Sequence, residues 1–214
     1  MTDDGQDEPA HRVLVLYAHP RNDRSVTNVR LADAAREVDG VTLIDLYAEY
    51  PSFDIDVDRE QDRLLTHDVL VFQHPLYWYS SPAILKEWQD LVLEYGFAYG
   101  HDTHALAGKL FFNAVTCGAG RDAYCVDGLH GHELRDLLLP FSRTFHLCRM
   151  QVLPPFALFG AGRPVADDRL DAHVDGYRRL LTGIVGGRLD VARTAGLLAL
   201  SDHLDDLLPA EADA

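Results

Sequence analysis

The sequence predicts an α/β protein built on a doubly wound, five-stranded parallel sheet with helices on both faces. Three observations predict it. Short continuous apolar runs have strand length, apolar stripes at helical spacing alternate with them, and polar or glycine-bearing loops follow the runs. That alternation implies right-handed crossovers and puts a ligand beyond the carboxyl ends of the strands, at the switch point.

The first strand is read in Arg12 to His19, from Val13-Leu14-Val15-Leu16-Tyr17-Ala18, an apolar run suited to burial on both faces. After a polar loop, Val26, Val29, Ala32, Ala35 and Val38 keep helical spacing up to Gly40. Val41 to Leu46 reads as the second strand. Asp58 with Gln61 resembles a capping box opening a brief helix near Leu64. Val69 to Gln73 is the third strand. Ser81 then reads as an N-cap before Pro82 at the first helical position, and Leu85, Trp88, Leu91, Val92 and Tyr95 continue one stripe. Lys109 to Thr116 is the fourth strand, and Leu134, Leu137, Leu138 and Phe141 suggest a helix disturbed by Pro140. Arg149 to Leu158 is the candidate fifth strand. Leu170, Val174, Tyr177, Leu181 and Ile184 give a last core helix ending near Gly186-Gly187, followed by a weaker, partly acidic helix.

The length of 214 residues suits one sizeable domain, expected over residues 12–190, with a disordered acidic leader at 1–11 and a partly helical tail at 191–214. The leader has no apolar stretch of signal-peptide type, and no run approaches the ~20 apolar residues of a membrane span. The formal net charge of −15 opposes binding to nucleic acid or an anionic lipid surface. Cys117, Cys125 and Cys148 form no C-x-x-C pair and leave an odd one over, so a reducing, cytoplasmic setting is expected. His101 with His104 and His130 with His132 have metal-ligand spacing, but no cysteine or carboxylate completes a set, and no metal is predicted.

The switch-point rule selects three loops. In the first, His19 to Asn28, hydroxyls and amides at a helix N-terminus suit a phosphate, with His19 as a further donor. The alternative is that Ser25 is only an N-cap and Thr27 only a first-turn residue. Neither G-x-G-x-x-G nor G-x-x-x-x-G-K-[ST] is present, which favours a mononucleotide phosphate over a dinucleotide or a P-loop. In the second loop, Pro75-Leu76-Tyr77-Trp78-Tyr79-Ser80-Ser81-Pro82, three consecutive aromatics stand at a strand end, which suits a flat aromatic ligand; capping of the core or a subunit contact is the competing reading. The third loop, Thr116 to Gly131, offers small residues for close backbone approach, then a phenol at Tyr124 and an imidazole at His130, both potential proton donors; a structural or solvated role is the competing reading, and the place after the fourth strand favours the catalytic one.

With these loops in view, the chain resembles the flavodoxin-like NAD(P)H:quinone oxidoreductases. Phe72 to Tyr79 is similar to the family's F-Q-F-P-L-Y-W block, Pro82 to Lys86 to its P-A-[IL]-L-K helix start, and Thr116 to Gly131 to its T-T-G-G stretch followed by a Tyr and a G-[IL]-H-G. The resemblance runs over roughly residues 12 to 190 and implies a flavodoxin-like fold. It puts His19, Ser25, Thr27 and Asn28 on the flavin's ribityl phosphate. It puts Pro75, Leu76, Tyr77, Trp78 and Tyr79, with Thr116, Cys117, Gly118 and Ala119, on the isoalloxazine, and makes Tyr124 and His130 catalytic. Cys117 and Ala119 depart from the T-T-G-G pattern, which implies weaker flavin affinity.

Asp45 to Ala48, Tyr50-Pro51, Phe53 to Asp56 and Arg59 to Gln61 bring the chain nearest to the short bacterial members that serve as ancillary subunits of glutathione-gated potassium-efflux systems. That likeness implies FMN; FAD is disfavoured because Thr194 to Ala214 does not resemble the extension of the FAD-binding animal enzymes. It further implies NAD(P)H as cosubstrate, a quinone-like acceptor and ping-pong hydride transfer. Phe97-Ala98-Tyr99 resembles a segment that reaches the partner's site in a homodimer. The alternative implied function is a regulatory subunit with little turnover, bound to the cytoplasmic domain of a potassium/proton antiporter and so peripheral to the inner membrane face through that partner.

Overall fold

The computed structural model describes residues 9–102 and 104–208, so most of the leader expected at 1–11 and the end of the tail lie outside the described residues. Strands β1 (Val13–Tyr17), β2 (Val41–Asp45), β3 (Val69–Pro75), β4 (Leu110–Thr116), β5 (Gln151–Val152) and β6 (Phe156–Leu158) form one parallel sheet. The order is β2-β1-β3-β4-β5, with β6 also on β4. The chain reverses direction across the sheet between β1 and β3, which makes the cleft above those two strands the switch point.

The strand pleat sorts the core into two layers. Leu14, Leu16, Leu70, Phe72, Phe111 and Val115 face one side, under α2 (Leu46–Glu49), α3 (Val57–Thr66), α4 (Ala83–Val92), α5 (Leu134–Leu137) and α6 (Leu139–Leu147). Val13, Val15, Val69, Val71, Phe112 and Ala114 face the other, under α1 (Val26–Arg36), α7 (Asp167–Val185) and α8 (Leu204–Leu207). Phe72 centres the first layer, edge-on to Trp88, Phe111, Phe141 and Phe145 with ring centroids 5.2–6.2 Å apart. Such pairs add about 0.5–1.5 kcal/mol each beyond area burial.

Several elements differ from expectation, each for a local reason. The fifth strand is broken in two because Pro154 and Pro155 have no N–H for the ladder, leaving β4 without a strand neighbour opposite Phe112 and Asn113. The second helix is capped by Asp56, which accepts from the Arg59 N–H at 3.1 Å, so Asp58 falls inside the first turn. Gln61 instead reaches across to the Val92 carbonyl and Glu94. Ser81 is not the cap of α4: Pro82 holds that position, and the Ser81 hydroxyl donates to the Pro82 carbonyl. Leu91 and Tyr95 are exposed, and Ile84 replaces them in the stripe. Likewise Val26 is exposed, with Leu31 and Ala34 buried instead. Pro140 starts a new helix, α6, rather than disturbing one, since its ring fits the first turn.

Among the described residues the tail is mostly turns, with two short 3-10 helices (Ala192–Thr194 and Leu200–Asp202) and the four-residue α8, and Ala199, Leu200 and Leu207 are buried in the core. It lies along the side of the sheet that carries α7. There His173 stacks on Phe156 at 4.4 Å, and its Nε2 is buried with no partner among the described residues. Burial, helped by Arg169, pushes its pKa down to about 4. Because the folded pKa lies below the unfolded value, the unfolded chain binds the proton first as pH falls. Stability is therefore expected to drop by about 3 kcal/mol between pH 6.5 and 4 on account of this residue. Denaturant melts of the wild type and His173→Phe across that range check this: equal slopes for the two would remove His173 as the cause.

Candidate flavin site at the carboxyl edge of the sheet

Three loops meet above β1, β3 and β4. The first is locked by polar contacts rooted in the strand ends. Tyr17 donates its hydroxyl to Asn22 Oδ1, Asn22 Nδ2 donates to Asp45 at 2.8 Å, and Asp45 caps α2 through the Tyr47 and Ala48 amides. This network holds the chain leaving His19 and lets α1 start at Val26 facing the cleft. Ser25 stands at the N-cap, but its hydroxyl makes no capping bond. The Val26, Thr27 and Asn28 amides likewise find no acceptor among the described residues. An uncapped start of an eleven-residue helix presents N–H donors and the positive end of the dipole, the chemistry a phosphate takes.

His19 is buried, and its Nδ1 accepts from the Arg21 amide at 3.1 Å, which fixes the proton on Nε2. Desolvation lowers its pKa, so at neutral pH the ring is an uncharged Nε2–H donor. Asn28, also buried, donates to Thr116 Oγ1 at 2.9 Å and so ties the first loop to the third. Gln73 donates to the Asn28 carbonyl at 3.0 Å. Asn28 Oδ1 and Gln73 Oε1 are buried without partners, a polar deficit of the sort met where a ligand or water completes the site.

The second loop is a tight turn closed by Tyr77 N–H to Ser80 O at 3.0 Å and Ser80 N–H to Tyr77 O at 2.9 Å. Trp78 and Tyr79 have φ of 50° and 63°, both left-handed, as a type I′ turn requires. Bulky residues there cost about 1–3 kcal/mol each, and such strain persists where the surroundings over-determine it. The result is a rigid aromatic wall: Trp78 is 93% exposed, with Tyr77 and Tyr79 also exposed. Leu76 N–H to Thr116 O, 2.8 Å, anchors the wall to β4.

The third loop folds back on itself. His130 N–H bonds the Ala123 carbonyl at 3.0 Å, and Gly128 is pressed against the Asp122 and Ala123 carbonyls so closely that a Cβ would sit 2.3 Å from the first. Only glycine closes this loop. The closure brings the Tyr124 and His130 rings to 4.5 Å, with Tyr79 5.5 Å from His130. Both His130 nitrogens lack a partner among the described residues. The Tyr124 hydroxyl lies between the Ala119 amide and the Cys117 thiol, and burial with Cys117 pushes its pKa up to about 12, so it stays protonated. Gly118 is exposed at the rim. Cys117 is not presented to the cleft: its side chain is fully buried, its N–H is spent on Leu158 O and its carbonyl on Ala161 N–H. Burial pushes its thiol up to about 12, which makes it an inert filler against Tyr124.

Sequence reasoning missed the strip after β6. Gly160, Ala161 and Gly162 donate to the carbonyls of Ala119, Cys117 and Gly118 at 2.7–3.0 Å and fix the third loop from its other side. Glycines immediately after a strand were the available signal. A depression of about 690 Å³ opens there between Gly118, Ala119, Leu129, Gly160 and Arg163.

An uncapped helix start with unspent N–H donors, an aromatic wall and a loop held close to the sheet by backbone bonds meet at the carboxyl ends of β1, β3 and β4, the edge where doubly wound folds bind their ligands. The sequence profile of a flavodoxin-like fold family matches residues 11–181. The chain belongs to that family. Among members of the flavodoxin-like fold family, the potassium-efflux system ancillary protein KefG of Shigella flexneri is 46% identical over 170 residues, covering 79% of this chain and 92% of that one. General stress protein 14 of Treponema denticola, solved in complex with FMN, is 35% identical with a TM-score of 0.73, over 82% of this chain and 98% of that one. An NADPH-quinone reductase from P. pentosaceus is 29% identical with a TM-score of 0.71, over 80% and 98% of the two chains. No described helix is long and apolar enough to cross a bilayer.

Proposed function

We propose that this protein is an FMN-dependent oxidoreductase that accepts a hydride from NAD(P)H and delivers it to a quinone-like acceptor in a ping-pong cycle. The observation that carries the proposal is the Tyr124–His130 pair, a protonated phenol and an imidazole with both nitrogens unspent, beside the aromatic wall. The buried deficits at Asn28 and Gln73 and the uncapped start of α1 fit a flavin mononucleotide.

When bound, the flavin supplies the hydride chemistry. His19 Nε2–H, the Ser25 and Thr27 hydroxyls and the first amides of α1 hold the phosphate. Pro75 to Tyr79 and the Thr116 to Ala119 backbone would hold the ring, and the aromatic side chains of Trp78 and Tyr79 would exclude water from it. Tyr124 and His130 would donate hydrogen bonds where negative charge develops, and His130 would return a proton to the reduced acceptor. Tyr95 and Tyr99, exposed and edge-on at 5.7 Å, give a homodimer an aromatic contact beyond α4.

A second reading has its own support: the relatives named as ancillary proteins of potassium-efflux systems suggest a regulatory subunit that acts at the membrane through an antiporter. One experiment separates the two. The purified protein is titrated with FMN and followed at the flavin band near ~450 nm, then given NADH and a benzoquinone without oxygen. Bleaching by NADH and recovery with quinone are expected of an oxidoreductase. FMN binding without bleaching would leave the regulatory reading.

A further inference from the structure

The tail after α7 lies beyond residue 181, where the match to the family profile ends, and its middle is fixed to the sheet. Leu200 N–H donates to the Pro155 carbonyl at 2.8 Å. The Ser201 hydroxyl donates to the Ala157 carbonyl at 3.1 Å and accepts from the Ala157 N–H at 3.4 Å. The tail thereby occupies one edge of β6, whose other edge is spent on β4. Ala199 and Leu200 are buried as well, so the 3-10 turn Leu200–Asp202 is an anchored platform and not a loose end.

From that platform Asp202 accepts from Arg121 Nη2 at 2.6 Å. Arg121 opens the 3-10 turn Arg121–Ala123 of the third loop, and its carbonyl accepts from the Tyr124 N–H at 2.9 Å. Its guanidinium also lies over the Phe159 ring, 4.6 Å from the centroid, and the Tyr124 ring stands 5.4 Å from that same ring. Asp202 and Phe159 together hold Arg121 where it carries the backbone of Tyr124. Just past the loop, Arg135 of α5 donates to the Leu197 carbonyl of the tail at 3.2 Å. The loop from Thr116 to Gly131 is therefore bracketed by two arginines that both grip the tail. The Arg179–Asp205 pair, at 2.7 Å, instead ties the tail to α7.

We infer that the tail is a clamp on the third loop, and that Asp202 is a positioning residue which holds Tyr124 and His130 in place through Arg121. Of residues 121–130 only Tyr124 is buried, so side-chain packing gives this loop little hold of its own. Backbone bonds close it on itself and on the strip after β6, and the tail adds side-chain contacts from outside. The Arg121–Asp202 pair is partly exposed, and pairs of that kind shift a local equilibrium by about two- to fivefold. A shift of that size is small for the whole fold and large enough to change how often a loop departs from its working position. The service to Tyr124 and His130 rests on the reductase reading; the coupling of tail to loop does not.

Amide hydrogen exchange of the full-length protein, read by NMR without flavin, tests the coupling at Tyr124 and His130, whose N–H groups are bonded within the loop. Asp202→Asn and Arg121→Gln are each expected to speed exchange at both amides by about two- to fivefold, and the double variant by no more than Arg121→Gln alone. Asp205→Asn, which cuts the tail from α7, is expected to leave both amides unchanged. Melting temperatures and exchange at Val71 and Phe112 in the central strands verify that each variant is folded. With FMN bound, Asp202→Asn should slow quinone reduction by a similar factor and NADH oxidation less, and Asp202→Glu should restore part of the loss. Unchanged exchange at Tyr124 and His130 in Asp202→Asn, or additive effects in the double variant, overturns the clamp. Faster exchange with quinone reduction unaltered overturns the positioning role of Asp202. A wild type whose FMN is not bleached by NADH, with exchange behaving as expected, removes the reductase reading and leaves the clamp standing.

Discussion

Glu60→Ala is expected to destabilise the fold by about 3–5 kcal/mol, the cost of removing one member of a buried ion pair. Glu60 is fully buried on α3 and accepts three donors: the Tyr50 hydroxyl at 2.6 Å, the Trp88 indole N–H at 2.9 Å, and the Arg63 guanidinium. These donors come from the segment after α2, from α4 and from α3 itself, so one carboxylate staples three pieces of one layer. Arg63 is further held by Glu49 of α2, which also takes Arg59. Alanine leaves an indole and a phenol without acceptors in the core and a mostly buried guanidinium with Glu49 as its remaining carboxylate partner. Glu60→Gln keeps the acceptor oxygen and loses the charge, so its loss should be clearly smaller. Urea melts of the three proteins with FMN absent measure the effect. Equal losses for alanine and glutamine would show that charge, and not the hydrogen bonds, carries the stabilisation.

That staple was illegible in the sequence, and the reason separates what periodicity can and cannot reveal. The strands β1 to β4 were readable because a doubly covered strand must be apolar throughout, as Val13 to Tyr17 is. Their ends fell within two residues of expectation. A glutamate in an amphipathic helix carries no mark of burial; only the three-dimensional arrival of Tyr50 and Trp88 makes Glu60 internal. The break at Pro154-Pro155 lies inside the run Arg149 to Leu158 that reads as one strand, because apolar residues flank the two prolines on both sides. Asp45 as cap of the four-residue α2 was hidden in what read as a strand end.

The candidate site was more legible than the packing that supports it, since chemistry-bearing residues cluster in sequence. His19, Ser25, Thr27 and Asn28 fall on one loop, and Tyr77 to Tyr79 on another, because each loop follows a strand whose end is at the switch point. The exception is Cys117, which backbone bonds turn away from the cleft. The Phe159 to Gly162 strip escaped notice because its role is played entirely by N–H groups, which no residue type advertises.

Tyr124→Phe and His130→Gln are each expected to lower quinone reduction by about 10²-fold or more, with FMN binding changed little. The geometry sets this expectation. The Tyr124 hydroxyl accepts from the Ala119 amide and otherwise faces only the Cys117 sulfur, a weak acceptor, so its proton can be redirected to a developing anion at small cost. Its pKa near 12 keeps that proton in place throughout the neutral range, which makes it a hydrogen-bond donor and not a titrating acid. His130 is the group able to give up a proton outright, and neither of its nitrogens is engaged by the protein. The two substitutions should therefore differ in kind. Phenylalanine should depress the rate by a similar factor at every pH, whereas glutamine keeps a hydrogen-bond donor that cannot release a proton, so it should slow quinone reduction more than NADH oxidation. Stopped-flow traces resolve the half-reactions: NADH oxidation and quinone reduction, each measured against pH with FMN content matched. Full activity in either variant would take that residue out of the chemistry, and equal slowing of both half-reactions in His130→Gln would place the proton source elsewhere.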